Sequence, residues 1–544
     1  MNQEIMKIML PMPGPSCLHI NGESIFIADI RTGELAVYSI KDRAIIKKMP
    51  SYAVRPKLIT GDEDFIYIYD EVYNRINRID LQNDNAHPFG GFIRANHPYY
   101  GLAVDKNNFY VLGPDIPWYP SKSLSISVYD KNSKVLLDSY PAPTYGSRGL
   151  HSDGTCLYTM DFARGSAFIL DCKTGVVIDE QQLEGRNLLD IALHEGIFYT
   201  IDTDKNSLLG FTRSGKDFDL YGEPMKSAVV LGEVLINNGP ATIINWMSAG
   251  LKPENYLHQH IAKTPVINPQ TSDFIKSYWH DADYDTPFFN LKDLAPGQSR
   301  KITIEFEVLT RDLRFHLNPE KTLGFGDIPE DISGRFLLKN QYEKAGKENR
   351  KVLDMVDKTF QFTDEKVKEE AEKIIGDEKN LLIMVLKLFR HVIKEIDYTL
   401  PYQSLPVLKI LEEKKGSCGN HSALFSSLCQ SLGFPTRSLI GFCIWENDAR
   451  AGYLDHEIPE VYIPPYGFIP MDTSRFMSIP NYSGLIGDDF INFGRLDKRF
   501  VVCGFRGFYD SDYFRFLYLD KKKITAKGYA DTGGNFYVDW KTLP

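Results

Sequence analysis

Through its first 225 residues the chain repeats one pattern: a polar turn, a short run in which apolar and aromatic residues alternate, and an acid or glycine at the end of the run. The copies are Asn21–Asp29, Asp62–Asp70, Asp105–Gly113, Asp153–Asp161 and His194–Asp202. Their end positions, 29, 70, 113, 161 and 202, lie 41, 43, 48 and 41 residues apart. Each copy continues into another alternating strand and a polar turn, as in Leu35–Ile40, Ser125–Asp130 and Ala167–Asp171. Alternation at period two predicts strands with one buried face. The acids at the strand ends read as turn formers rather than metal ligands, because Asp side chains accept hydrogen bonds from nearby backbone N–H groups.

A unit of about 40 residues with some four strands cannot bury both faces of its sheet alone, so such units stack. Residues 1–228 are therefore expected to form β-propeller-like repeats, resembling the broad class of propellers with six or so blades. Five copies are visible, and the late segment Gly533–Trp540 is a candidate to complete the ring. The longest spacing falls where Ile116–Ser121 extends the third copy, which reads as a rim loop.

From residue 229 to 318 alternation persists in Ala241–Trp246 and Ile302–Leu309, and the turn Pro296-Gly297-Gln298 introduces the last strand; this predicts a β-sandwich domain. After Pro319 the text turns helical. Between Lys366 and Tyr398 apolar residues recur at helical spacing, with Gly376-Asp377 as a break into two helices. His391, beside that stripe, reads as a surface or packing residue. Residues 319–502 form the next division and residues 503–544 a C-terminal β extension. The expected fold is thus multidomain, a β-rich N-terminal half followed by an α+β core.

Length and composition agree. The 544 residues suffice for several domains at ~100–200 residues each. With 43% hydrophobic and 25% charged residues, disordered, collagen-like and disulfide-stapled chains are excluded. The net charge of −10 and the lack of a basic block argue against nucleic-acid binding, which needs clustered Lys and Arg. The longest apolar stretch, Ala228–Ile236, is far short of the roughly 20 residues of a bilayer helix. The N-terminus has no apolar signal region, and the seven cysteines contain no C-x-x-C pair, so the expected location is the cytoplasm. No phosphate-cradling glycine loop and no His-Glu-x-x-His occurs, so no cofactor and no metal is implied.

Chemistry concentrates between residues 415 and 474. Gly416-Ser417-Cys418 opens a helix that Gly433 closes, so Cys418 stands at a helix N-terminus, where unpaired N–H groups and the helix dipole favour a thiolate. The same N–H groups can stabilise an oxyanion. Further on, Asp455–Ile463 and Ile469–Ser474 read as two strands joined by a turn, a hairpin that brings His456 and Asp472 together. A thiol needs a base, and an imidazole needs a carboxylate to orient it and stabilise its charged form. Cys429 and Cys443 read as core residues, His421 as a packing or polar-network residue and Glu460 as structural.

This pattern resembles the transglutaminase-like superfamily, papain-related enzymes with the chain order Cys, His, Asp. The resemblance is carried by Gly416-x-Cys418 with Ala423-Leu424-Phe425, by Leu432-Gly433-Phe434-Pro435-Thr436-Arg437, and by His456-x-x-x-Glu460-Val461-Tyr462 with Gly467-Phe468-Ile469-Pro470-x-Asp472. It implies Cys418 as nucleophile, His456 as general base and acid, and Asp472 as orienting carboxylate. Ile458 stands where such families usually carry Trp, Pro459 is expected to interrupt its strand, and Thr473-Ser474 replaces a Pro-Thr ending. The candidates for a further oxyanion donor are Tyr398 and Tyr402.

The expected activity is attack of Cys418 on a peptide or glutamine amide through an acyl-thioester, ending in hydrolysis or transfer to an amine. The repeats would dock a protein or peptide substrate or a protein partner. The competing readings are a non-catalytic binding scaffold and an amide-forming biosynthetic enzyme.

Overall fold

The computed structural model describes residues 4–543 apart from residues 84, 90–98, 115–123, 145, 163–164, 174, 176, 184–186, 213–217, 251, 254, 272–273, 280–281, 400–404, 445–454, 475–492, 508–523 and 527–531. The expected rim loop at 116–121 and Tyr402 lie outside the described residues. The chain forms two compact units that divide between residues 217 and 218.

In the first unit the repeats become, among the described residues, five four-stranded antiparallel sheets. The second strand of each sheet is the run noted above: Ser24–Asp29, Phe65–Asp70, Asn108–Pro114, Cys156–Asp161 and Ile197–Asp202. The first strands, Pro15–Asn21, Pro56–Gly61, Gly101–Val104, Ser147–Ser152 and Leu188–His194, touch one another in sequence, and the last touches the first. The arrangement is a closed ring, β-propeller-like. Its fifth sheet is completed by the N-terminal strand Glu4–Met9, paired with Ser207–Thr212. The expected completion by Gly533–Trp540 is corrected: that segment belongs to Thr532–Leu543, which pairs with Phe218–Asn237 in the second unit. The strand-end acids are turn formers. Asp29 accepts from the N–H groups of Gly14, Arg31 and Thr32, and Asp70 from those of Val54 and Val72.

At the centre of the ring Asp190 is buried with a left-handed backbone (φ 58°). Its carboxyl accepts from Leu18 N at 2.9 Å and Ile191 N at 2.9 Å, and bonds to the Leu150 backbone. It therefore ties the first, fourth and fifth sheets. Gly149, opposite, must be glycine: φ is +65° and a Cβ would lie 2.5 Å from Asp190 Cα.

The second unit opens with the 20-residue strand Phe218–Asn237. The division expected at 228/229 falls inside it. A strand that runs through that point gives no turn signal there, and the break comes eleven residues earlier. This strand pairs with Ser299–Phe315 on one side and Thr532–Leu543 on the other. A second sheet runs Phe274–Trp279, Ala282–Leu294, Ile243–Ala249, Ile524–Ala526. Leu235, Ile243, Trp246, Phe289, Leu294 and Ile302 form the core of this β-sandwich. The C-terminal residues are thus not a separate extension: they supply one strand to each sandwich sheet. Gly297, with φ +73°, makes the expected turn, its N–H donating to Asn237 O.

Beyond Pro319 come the predicted helices. Glu365–Ile375 and Leu381–Glu395 are separated at Gly376, and Asn380 caps the second through Leu382 N and Ile383 N. Helix Cys418–Ser431 is buried on most sides and packs against Leu381–Glu395, with Phe389 and Phe425 edge to face. A four-stranded antiparallel sheet follows, ordered Gly467–Pro470, Asp455–Ile463, Thr436–Cys443, Phe500–Arg506. The other face of this sheet packs through Phe442, Val501 and Cys503 against Val229, Leu231, Ile304 and Phe306 of the sandwich.

Candidate active site

Cys418 is the first residue of the helix Cys418–Ser431, and Ser417 is its N-cap in extended conformation (φ −84°). The Ser417 side chain makes no capping bond, so the N–H groups of the first turn are not consumed by it. They remain to stabilise negative charge at the thiol or on a bound carbonyl. Gly416 allows this approach, because a Cβ there would lie 2.5 Å from Asn420 Cβ. Of the seven cysteines, Cys418 alone is partly exposed; the other six are buried. Burial pushes the thiols of Cys429, Cys443 and Cys503 up, so they stay neutral.

The histidine strand Asp455–Ile463 is tied to this helix by Ser422, whose hydroxyl donates to Glu457 O at 3.0 Å. His456 is buried, and its Nε2 donates to Asp472 Oδ2 at 3.0 Å. The imidazole also shares a side-chain hydrogen bond with Cys418. Burial by itself pushes the imidazole down. The Asp472 charge and hydrogen bond, with the Cys418 hydrogen bond and charge, outweigh it and hold the ring at about 10. The second carboxylate oxygen, Asp472 Oδ1, accepts from Ser474 N at 3.1 Å and Ser474 Oγ at 2.8 Å. Both oxygens are thereby fixed, and the imidazole is oriented by a carboxylate that cannot swing. The structure thus brings Cys418, His456 and Asp472 together.

Pro459 does not interrupt the strand, which pairs continuously with Thr436–Cys443. The reason is geometric. In a strand a residue's N–H and C=O point the same way, and the Pro459 carbonyl receives Met471 N, past the end of the short strand Gly467–Pro470. The missing N–H therefore costs no bond to the central strand.

His421 is buried, with Nδ1 2.9 Å from Ser417 O and Nε2 3.1 Å from Ile396 O, so it pins the start of the helix that Cys418 opens. Glu460 is buried against Arg437 (Nε to Oε2, 2.6 Å) and accepts from Tyr256 Oη at 2.6 Å. The Arg437 guanidinium lies 4.0 Å from the Phe468 ring centroid and 4.6 Å from that of Phe505. Tyr398 sits in a two-residue parallel ladder, opposite Gly416, which places its backbone beside the turn that leads into Cys418. His391 is a half-buried neighbour of Glu370.

Two contributors were missed in the sequence. Phe500 stands edge-on to the His456 ring at 5.9 Å and 90°. Ser474 holds Asp472, and its place in the altered Asp-Thr-Ser ending was the available signal. Among the described residues no group of three or more His, Cys, Asp or Glu is placed to hold a metal ion, and no helix is long and apolar enough to cross a membrane.

Residues 368–473 match the transglutaminase-like superfamily. A search of curated proteins returned no match. Among solved structures, a candidate cysteine protease from Cytophaga hutchinsonii is similar at 14% identity and a TM-score of 0.39, covering 60% of this chain and 93% of its own. The glutaminyl cyclase of Myxococcus xanthus is similar at 10% identity and a TM-score of 0.31, covering 38% and 94%.

Proposed function

From a chain whose residues 368–473 form a transglutaminase-like domain, we propose a cysteine-nucleophile enzyme that acts on peptide or glutamine amides through an acyl-thioester. The observation that carries this reading is a partly exposed thiol at a helix N-terminus, hydrogen-bonded to a buried imidazole that a fixed carboxylate holds.

His456 takes the Cys418 proton, and the sulfur attacks the amide carbon. The oxyanion forms beside the N–H groups of the helix's first turn. His456 then returns the proton to the leaving nitrogen, the C–N bond breaks, and the acyl group remains on Cys418. Water or an amine, deprotonated by His456, attacks the thioester and restores the thiol. Hydrolysis is the preferred outcome, because water is always present. The five-sheet ring, in this reading, docks the protein or peptide substrate, and the protein works in the cytoplasm.

The test is incubation of the full chain with glutamine-containing peptides, with and without a fluorescent alkyl amine. Intact-mass spectrometry detects an acyl adduct on Cys418; product analysis separates ammonia release, peptide cleavage and amine incorporation. An adduct lost in Cys418→Ala supports the proposal. Absence of adduct and product across a broad peptide library, with binding retained by Cys418→Ala, favours the scaffold reading.

A further inference from the structure

The long strand Phe218–Asn237 carries an anomaly. Val229, Leu231 and Leu235 lie on its buried face, two residues apart, and Glu233 occupies the same face between them. The Glu233 side chain is half-buried, so a carboxylate is held at the open edge of an otherwise apolar stripe, where an opposite charge would pair with it favourably. Its one partner among the described residues is Ser248, whose hydroxyl donates to Glu233 Oε2 at 2.7 Å. No cation accompanies it there.

Glu233 and Ser248 open into a pocket of about 280 Å³. The rest of the wall is almost entirely apolar: Leu231, Ile302, Ile304 and Phe289 from the sandwich, Phe442 and Cys503 from the catalytic sheet. An apolar cavity of about 150 Å³ already accepts benzene, so this pocket is roomy enough for a ring with a short side chain. Gly250 lies on the wall, and a Cβ there would meet Ile304 Cδ1 at 3.2 Å. Gly441 also lines the pocket, and is the residue opposite His456 in the pairing of Thr436–Cys443 with Asp455–Ile463.

We propose that this pocket binds a small primary ammonium compound with a compact apolar body, the ammonium paired with Glu233 and the body held against Leu231, Phe289, Ile304 and Phe442. The charge decides the class. A neutral apolar ligand would leave the carboxylate without a counter-charge, and an anion would be repelled. An ammonium can donate an N–H to the Glu233 oxygen that Ser248 does not hold, in a charge-assisted hydrogen bond. The site is separate from Cys418, so it stands whether or not the enzymatic reading does.

The experiment is calorimetric titration of the full chain with 2-phenylethylamine and with its neutral counterpart 2-phenylethanol. It is repeated on Glu233→Gln, which keeps the shape and the Ser248 bond, and on Gly250→Leu, which fills the pocket. The amine is expected to bind at least tenfold more tightly than the alcohol. Glu233→Gln should abolish that preference while leaving alcohol binding unchanged, and Gly250→Leu should abolish both. Absence of amine binding at millimolar concentration, equal affinity for amine and alcohol, or a preference that survives Glu233→Gln would each overturn the proposal. Should Gly250→Leu fail to fold, the Glu233→Gln comparison decides alone.

Discussion

Gly441 lies directly opposite His456 in the pairing of Thr436–Cys443 with Asp455–Ile463, and a Cβ at 441 would come within 2.1 Å of Val501 O and 2.9 Å of the Phe500 ring. Phe500 in turn stands edge-on to the His456 imidazole. A missing side chain therefore sets the position of a ring that braces the proposed base.

Gly441→Ala is expected to destabilise the fold by ~1–3 kcal/mol, the range for overpacking a tight interior. It should also slow alkylation of Cys418 severalfold, although no reacting group is removed. Urea unfolding and a timed iodoacetamide reaction measure both. Full alkylation speed in the folded variant would show that Phe500 does not brace His456.

The pH dependence of stability follows from His456. Its folded value, about 10, lies above the roughly 6.5 of an unfolded histidine, so the folded state binds the proton more tightly. The stabilisation is fully present below pH ~6.5 and is lost as pH rises toward ~10. Asp472→Asn removes the main raising influence and should flatten the stability profile across that window. Urea unfolding at a series of pH values tests this; an unchanged slope in the variant would contradict it.

The buried Arg437–Glu460 pair supports the sheet without touching the proposed reaction. Glu460→Ala removes the carboxylate that balances a buried guanidinium and should cost ~3–5 kcal/mol. The fraction that remains folded should still alkylate at Cys418 as fast as the parent chain. A selective loss of reactivity, at full stability, would give Glu460 a role in the chemistry.

Ring closure rests on Glu4–Met9 pairing with Ser207–Thr212. Deleting residues 1–9 exposes the edge of that strand, and exposed edges pair with other chains. The truncated chain should aggregate and should be cut within the repeats by a trace protease, both read by size-exclusion chromatography and peptide mapping. A monomer as protease-resistant as the parent would refute closure by this strand.

What could be read from the sequence divides along local and non-local lines. The five repeats were legible because each strand and turn is written in nine consecutive residues. Cys418, His456 and Asp472 were legible because each sits in a short surrounding motif. Closure was not: Lys7 meets Leu209 across some two hundred residues, and nothing near either announces the other. The alternation of Gly533–Trp540 predicts a strand but is silent on its partner, which proved to be Phe218–Asn237. Pro459 looked like a breaker because the direction of its missing N–H depends on the neighbouring strands. Glu233 passed as an ordinary residue of an apolar stretch, since only the fold shows which face of the strand is buried.

The most direct test of an activated Cys418 is iodoacetamide labelling of the folded chain at mildly acidic pH, read peptide by peptide, with His456→Ala alongside. Cys418 is expected to label far faster than Cys429 and Cys443, and faster than a cysteine in the urea-unfolded chain. His456→Ala is expected to remove that advantage while Cys418 stays equally exposed. Labelling of Cys418 no faster than an unfolded cysteine, or unaffected by loss of His456, would contradict the account.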